Sequence, residues 1–264
     1  MSDIITDADL VSQFAAKAME EPAQVIKTRA PSESDVELPG GFIDTDGELI
    51  TTAEVKELTG ADEEAVAKAG STGKALNVLL QRGLVKLGSR AATKEDLDTL
   101  LSGDRDAILL GIRRVTFGAN AEVSVRCMHC ADEHDTEIDL FSDVPVTKLE
   151  DPIEDRTWEV ETKKGMAVIS LPNGVTQRKL MENYDKTPAE INTLLLSGCI
   201  MSINGSPSSG ATTALSLGMA DRTKIVETII TRNPGPRLGE VTKACKACGE
   251  LMELPLSLLD LFRI

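Results

Sequence analysis

An α+β protein is the fold class this sequence predicts, and three observations carry that reading. Apolar residues recur at helical spacing, between capping residues and glycines, over residues 51–117 and again over 173–232. Between and after these stretches the hydrophobic period shifts to two, the mark of half-buried strands. Two Cys-x-x-Cys pairs, Cys127/Cys130 and Cys245/Cys248, fall inside the alternating stretches. The expected organisation is an N-terminal arm or linker over 1–50 and a helical region over 51–117. A β-rich ribbon is then split between 118–172 and 233–264, around a helical insertion over 173–232.

The arm begins with a short amphipathic stretch, Leu10, Val11, Phe14 and Ala18, followed by PAQVIKTRAPSESDVELPGG. Proline, serine, glycine and charge make that segment a linker, or an arm that docks on a partner. Thr51 followed by Glu54 has the spacing of a capping box, so a helix is expected to open there and to close at Gly60. ADEEAVAKAG and TGKALNVLLQRG each end in glycine, which takes the left-handed helix-terminating conformation most easily. Thr93 opens TKEDLDTLLSG, with Asp96 three positions on. DRDAILLGIRRVTFG follows, with Ile108, Ile112 and Val115 on one face. Its aspartates lie at the start and its arginines near the end, as the helix dipole favours.

From Gly118 the chain alternates. AEVSVR and HDTEIDL are strands on either side of the first cysteine pair, and WEVET with MAVISL forms a hairpin around Lys163–Gly165. VTQRKLMENY and TPAEINTLLLSG return to helix, the second with Thr187 as cap, Pro188 at the first position and Glu190 closing the box. NGSPSSGATT reads as a flexible loop before a helix, and DRTKIVETIITR as a helix stopped by NPGP. LGEVTKA and LMELPL flank the second pair as strands. Leu258, Leu259, Leu261 and Phe262 form a closing apolar element, either docked on the chain's own core or presented to a partner.

Each cysteine pair thus sits on the turn of a hairpin. Two thiolates two residues apart can bite one metal ion from a single knuckle, and two knuckles complete the tetrahedron zinc prefers. Cys127, Cys130, Cys245 and Cys248 are therefore the candidate ligands of a structural Zn2+, the two halves of a zinc ribbon held more than a hundred residues apart in sequence. Gly249 suits the turn after the second pair. His129 and His134 are read as exposed residues of the first hairpin, because four thiols already fill the shell. Closed coordination leaves no position for an activated water, so no hydrolytic chemistry is expected. Neither pair follows a strand and opens a clear helix, against a thioredoxin-like redox site. Cys199, in the apolar LLLSGCIM, is expected to be a buried structural thiol.

Composition narrows the function classes. The chain has 264 residues, 41% hydrophobic, 27% charged and only 3% aromatic, with a net charge of −15. A surface this acidic repels polyanions. The first ribbon half, 119–140, carries Glu122, Asp132, Glu133, Asp135, Glu137 and Asp139 against Arg126 alone. The second, 238–255, carries Glu240, Glu250 and Glu253 against Lys243 and Lys246. Neither half has an aromatic residue for a base to stack on. A zinc-ribbon nucleic-acid-binding or transcription factor is the alternative reading, and this charge argues against it. AGSTGKAL resembles a phosphate loop, but Ala75 follows Lys74 and Lys68 replaces the leading glycine. With both histidines in the first hairpin there is no Ser-His-Asp set. No window has the roughly 18 apolar residues of a membrane helix, and MSDIITDADL lacks the basic start of a secretory signal. A cytoplasmic protein is expected that is not an enzyme and has no small-molecule substrate, membrane or nucleic-acid partner.

Several stretches together resemble a known family: DRDAILLGIRRVTFG before RCMHC, then the long insertion, NPGPRLGEVTKACKACGE and the closing LPLSLLDLFRI. The arrangement is similar to the baseplate hub assembly chaperones of T-even-type phages, also described as a phage baseplate protein family. Relatives of it accompany contractile tails and related injection particles. The resemblance covers roughly residues 99–264 and is more diffuse over 30–98. It implies a role in bringing hub and tape-measure proteins together, in the cytoplasm of the host bacterium, or a place in the finished particle. Only Cys127, Cys130, Cys245 and Cys248 carry over as a functional pattern. The first knuckle departs from the usual one, having Ala131 where a glycine commonly follows.

Overall fold

The described chain, residues 34–254 and 256–262 of a computed structural model, opens with a strand where an arm was expected. The amphipathic stretch around Leu10–Ala18 lies outside the described residues. β1 (Asp35–Ile43) pairs antiparallel with β2 (Leu49–Val55), and the register slips between Glu37 and Phe42, where Pro39-Gly40-Gly41 forms a bulge. The helix expected at Thr51 is absent. Thr51 and Glu54 lie on β2, where Ala53 and Val55 alternate into the core and the β-branched run LITTAEV favours a pleated surface. Thr-x-x-Glu spacing is equally compatible with that strand.

Gly60 accordingly starts a helix instead of ending one. At its entry Asp62 Oδ2 accepts from Thr59 N (3.0 Å) and Thr59 Oγ1 (2.8 Å), the capping pattern of α1 (Gly60–Ala67). α2 (Thr72–Gly83) buries Leu76, Leu79 and Leu80. β3 (Leu84–Leu87) and β4 (Arg90–Ala91) complete a sheet of order β1-β2-β3-β4. α3 (Lys94–Thr99) stops short of its expected end, because Ser102 and Gly103 already belong to α4 (Ser102–Phe117). α4 is the central element. It buries Ile108, Leu109, Leu110 and Ile112 and crosses β1 so closely that a Cβ at Gly111 would lie 2.2 Å from Val36 Cγ2.

β5 (Asn120–Arg126) and β6 (Glu133–Asp139) form an unbroken hairpin, followed by β7 (Val146–Thr147). β8 (Thr157–Thr162) and β9 (Gly165–Ser170) form the hairpin expected around Lys163–Gly165. Then come α5 (Gly174–Met181), α6 (Pro188–Cys199), β10 (Ile200–Ile203), β11 (Ser206–Pro207), α7 (Ala211–Ser216) and α8 (Met219–Arg232). β8 and β9 do not join the ribbon. They share a sheet of order β11-β10-β9-β8 with the insertion, around a second core that includes Val160, Ala167, Ile169, Leu196, Cys199, Ile225 and Ile229. The insertion is therefore mixed, not purely helical. The segment read as a flexible loop contributes to this: Asn204 (φ 48°) and Gly205 (φ 74°) make a two-residue turn that pairs β10 with β11.

β12 (Gly235–Pro236) pairs with β7, so the chain leaves the insertion beside the point where it entered. Ser102 N donates to Pro172 O and Gly174 N to Leu100 O, both 2.9 Å, fixing α5 to the start of α4. β13 (Thr242–Ala244), β14 (Leu251–Glu253) and α9 (Leu258–Phe262) close the chain. Ile138, Cys127, Val241, Cys245, Met252 and Leu254 are buried in the same cluster as the apolar face of α4. Leu258, Leu261 and Phe262 join them, and Arg113 Nε donates to Leu261 O at 2.9 Å, so the closing element docks on the chain's own core.

Candidate metal centre

The two cysteine pairs occupy equivalent turns on two hairpins. In the first, Cys127 N donates to Asp132 O and Ala131 N to Cys127 O, both 2.9 Å. In the second, Cys245 N donates to Glu250 O (2.8 Å) and Gly249 N to Cys245 O (2.9 Å). The same pair of backbone bonds thus folds each Cys-x-x-Cys back on itself. The turn needs a left-handed residue after its second cysteine, and Gly249 supplies it at φ 79°. Ala131 takes that position in the first turn at φ 61°, although a Cβ disfavours it.

The turns meet at their sulfurs. Cys127 Sγ lies 3.7 Å from Cys248 Sγ and Cys130 Sγ 3.8 Å from Cys245 Sγ, and all four lie within 4.8 Å of one another. A tetrahedron with zinc–sulfur bonds of about 2.3 Å has sulfur–sulfur edges of about 3.8 Å. The donor set and its spacing therefore fit one tetrahedral ion. Cys127 and Cys245 face the core while Cys130 and Cys248 face outward. The Cys248 and Ala247 amides aimed at Cys245 hold its thiol down at about 6. Cys248 is pushed up to about 12: the Glu250 amide favours its thiolate, but desolvation and the crowding of Cys130, Cys245 and Cys127 outweigh that amide. Four sulfurs this close cannot all ionise without a cation among them.

Two lysines reinforce the junction, and sequence reasoning missed both. Lys246 Nζ donates to Asp135 O at 2.6 Å, and Lys243 Nζ pairs with Asp143 Oδ2 at 2.6 Å. Lys246 ties the second hairpin to the first and Lys243 ties it to the segment that follows β6, roles spacing alone does not announce. His129 is exposed, as expected, with its amide 3.4 Å from Cys127 Sγ. His134 is not exposed. It pairs with Val125 on the inward face of β6, and its side chain is 13% exposed with Nδ1 3.3 Å from Asp132 Oδ2. Cys199 is buried away from this cluster in the second core, where desolvation pushes its thiol up to about 12. On the outward face of the first hairpin Glu122 stands directly opposite Glu137, with Asp135 beside it. Like charges in register are unfavourable for a polyanion-binding surface and for the strand pair alike.

A family model described as T4 bacteriophage base plate protein matches residues 48–209. The chain belongs to this family. In this baseplate protein the match runs from β2 to β11, so it contains the first cysteine pair, and the second pair lies beyond it. No curated protein and no solved structure matches the chain. Among the described residues, no helix of the baseplate protein is long and apolar enough to cross a membrane.

Proposed function

We propose that this baseplate protein assembles, or forms part of, the baseplate hub of a contractile tail or related injection particle. Its partners in this reading are other hub or tape-measure proteins, met in the cytoplasm of the host bacterium. The observation that carries the reading is the family match over residues 48–209. The four-cysteine cluster supports its structural side: Cys127, Cys130, Cys245 and Cys248 hold a Zn2+ that cross-links the two hairpins. An ion bound by four thiolates has no open position, so it contributes rigidity and no catalysis, and the protein acts as a scaffold and not an enzyme. The acidic ribbon suits protein contacts better than nucleic acid.

Inactivating the protein in cells producing the particle tests this. The expected result is tails that lack a complete baseplate, and complete functional particles would overturn the reading. Quantitative mass spectrometry of wild-type particles then separates the two forms of the role. A permanent component appears at fixed stoichiometry, and an assembly chaperone is missing from the finished particle.

A further inference from the structure

The insertion meets the first core along a seam that encloses the start of α4. Asp104 there is fully buried. Its Oδ1 accepts from Gly40 N at 2.7 Å, while Oδ2 has no hydrogen-bond partner among the described residues. Three backbones converge on it. A Cβ at Gly103 would fall 1.6 Å from Pro234 O, and one at Gly40 would fall 2.8 Å from Pro234 Cγ and 3.0 Å from Asp104 Oδ2. The carboxyl thus lies where α4, the β1 bulge and the chain returning from the insertion touch. Two residues on, on the other side of the helix, Asp106 Oδ1 accepts from Gln177 Nε2 (2.7 Å) on α5. The wholly buried Arg105 donates to Gln177 Oε1 (2.6 Å) and to Leu97 O (2.5 Å).

We propose that this seam is a proton-sensitive joint, in which protonated Asp104, assisted by Asp106, locks the β1 bulge and residues 233–236 onto α4, and loss of the proton loosens the insertion from the first core. A buried carboxylate is costly, whereas the neutral acid carries no charge to desolvate. The charged groups facing it can be named element by element. From the turn before β8 comes Arg156, whose Nη2 donates to Gly40 O (3.1 Å) and Gly41 O (2.5 Å). From α4 itself come Arg105 and Asp106. Arg178 from α5, bonded to Asp98, acts on Arg105 and not on either carboxyl directly. The bulge Leu38–Gly41 and the segment Asn233–Pro236 have no titratable side chain.

The balance favours the proton. Burial raises Asp104 to about 7 against the Gly40 amide, Arg156 and the Gly41 amide, with Asp106 adding to the rise. Desolvation also raises the half-buried Asp106 to about 6, against Gln177 and Arg105. Both values exceed the roughly 3.9 of an exposed aspartate. Between about pH 4 and pH 7 the closed seam holds protons that the opened one releases. The closed form is therefore firmest on the acid side and weakens as pH rises to about 7.

Hydrogen exchange of the seam amides Gly40, Ser102 and Gly174, corrected for intrinsic rates, tests the joint in the full chain. Their protection is expected to fall more than about tenfold from pH 5 to pH 7, with the β5–β6 amides unchanged. Asp104→Asn should cut that fall severalfold, and Asp104→Asn with Asp106→Asn should flatten it. An equal fall in the double variant, or no fall in the wild type, overturns the proposal. If the variants do not fold, carboxyl 13C NMR of the wild type decides. A midpoint for Asp104 near that of the seam amides supports the joint, and a midpoint below 5 overturns it.

Discussion

At Ala131 the chain accepts a backbone conformation that its equivalent, Gly249, adopts without strain. A left-handed alanine costs on the order of 1 kcal/mol relative to glycine, part of which the extra freedom of glycine in the unfolded chain takes back. Ala131→Gly is therefore expected to stabilise the protein by about 0.5 kcal/mol, read as a higher denaturant midpoint at unchanged m-value. A lower midpoint would mean the two turns are not equivalent. Asp96 argues in the opposite direction. Arg90 Nη1 and Nη2 grip its oxygens at 2.8 and 2.7 Å, and Thr93 N donates to it at 2.8 Å, so its carboxyl lies below the usual carboxylate range. A lowered folded value stabilises the protein above the unfolded pKa of about 3.9 and is lost as pH falls through the folded one. Asp96→Asn is expected to cost about 1–2 kcal/mol at pH 7, discounted for the part-exposed arginine. The difference from wild type should narrow below about pH 4, and pH-dependent melts check both statements.

Elements were legible in the sequence where a cap and a period agreed. Thr187, Pro188 and Glu190 fixed α6, and the alternating runs around Cys127 fixed β5 and β6. Legibility failed where one spacing served two structures, as at Thr51 and Glu54, which suit a helix start or a strand face equally. It failed again at Asn204-Gly205, whose turn chemistry was present but whose flanking strands are too short to alternate visibly. The polar face of α4 was misjudged for another reason. Asp104 and Asp106 at a helix start look like dipole partners, and only the fold reveals that Gly40 and Pro234 close over Asp104 and that Gln177 bonds Asp106. Gly103 was silent in the sequence because close approach depends on Pro234, far along the chain. Gly103→Ala would drive a methyl into that carbonyl. The expected cost is more than about 3 kcal/mol, because backbone on both sides must shift. Thermal unfolding would check it, and a near-neutral Gly103→Ala would show the seam to be loosely packed.

Across the whole molecule, the cysteine spacing foretold which four side chains would converge, and the fold adds how. β7 and β12 bring the ends of the insertion together, Lys246 ties the second hairpin to β6 of the first, and Lys243 pairs with Asp143 beyond the end of β6. That the four cysteines would cluster could be read from spacing because thiolate chemistry admits few arrangements. The extent of the insertion was not, because β8 and β9 alternate like any ribbon strand and only their partner β10 assigns them to the second core. On the proposal that the four sulfurs hold a structural zinc, apo and metal-bound proteins should differ in stability across the shared core, since binding energy is folding energy. Chelation at neutral pH is therefore expected to lower the melting temperature by several degrees, with recovery on adding Zn2+.

Elemental analysis of the purified full chain, beside Cys245→Ser, tests the central claim most directly. The account predicts one zinc per chain in the wild type and its loss in Cys245→Ser. A wild-type protein purified without zinc that takes up none when it is supplied, or a variant that retains its zinc, would contradict it.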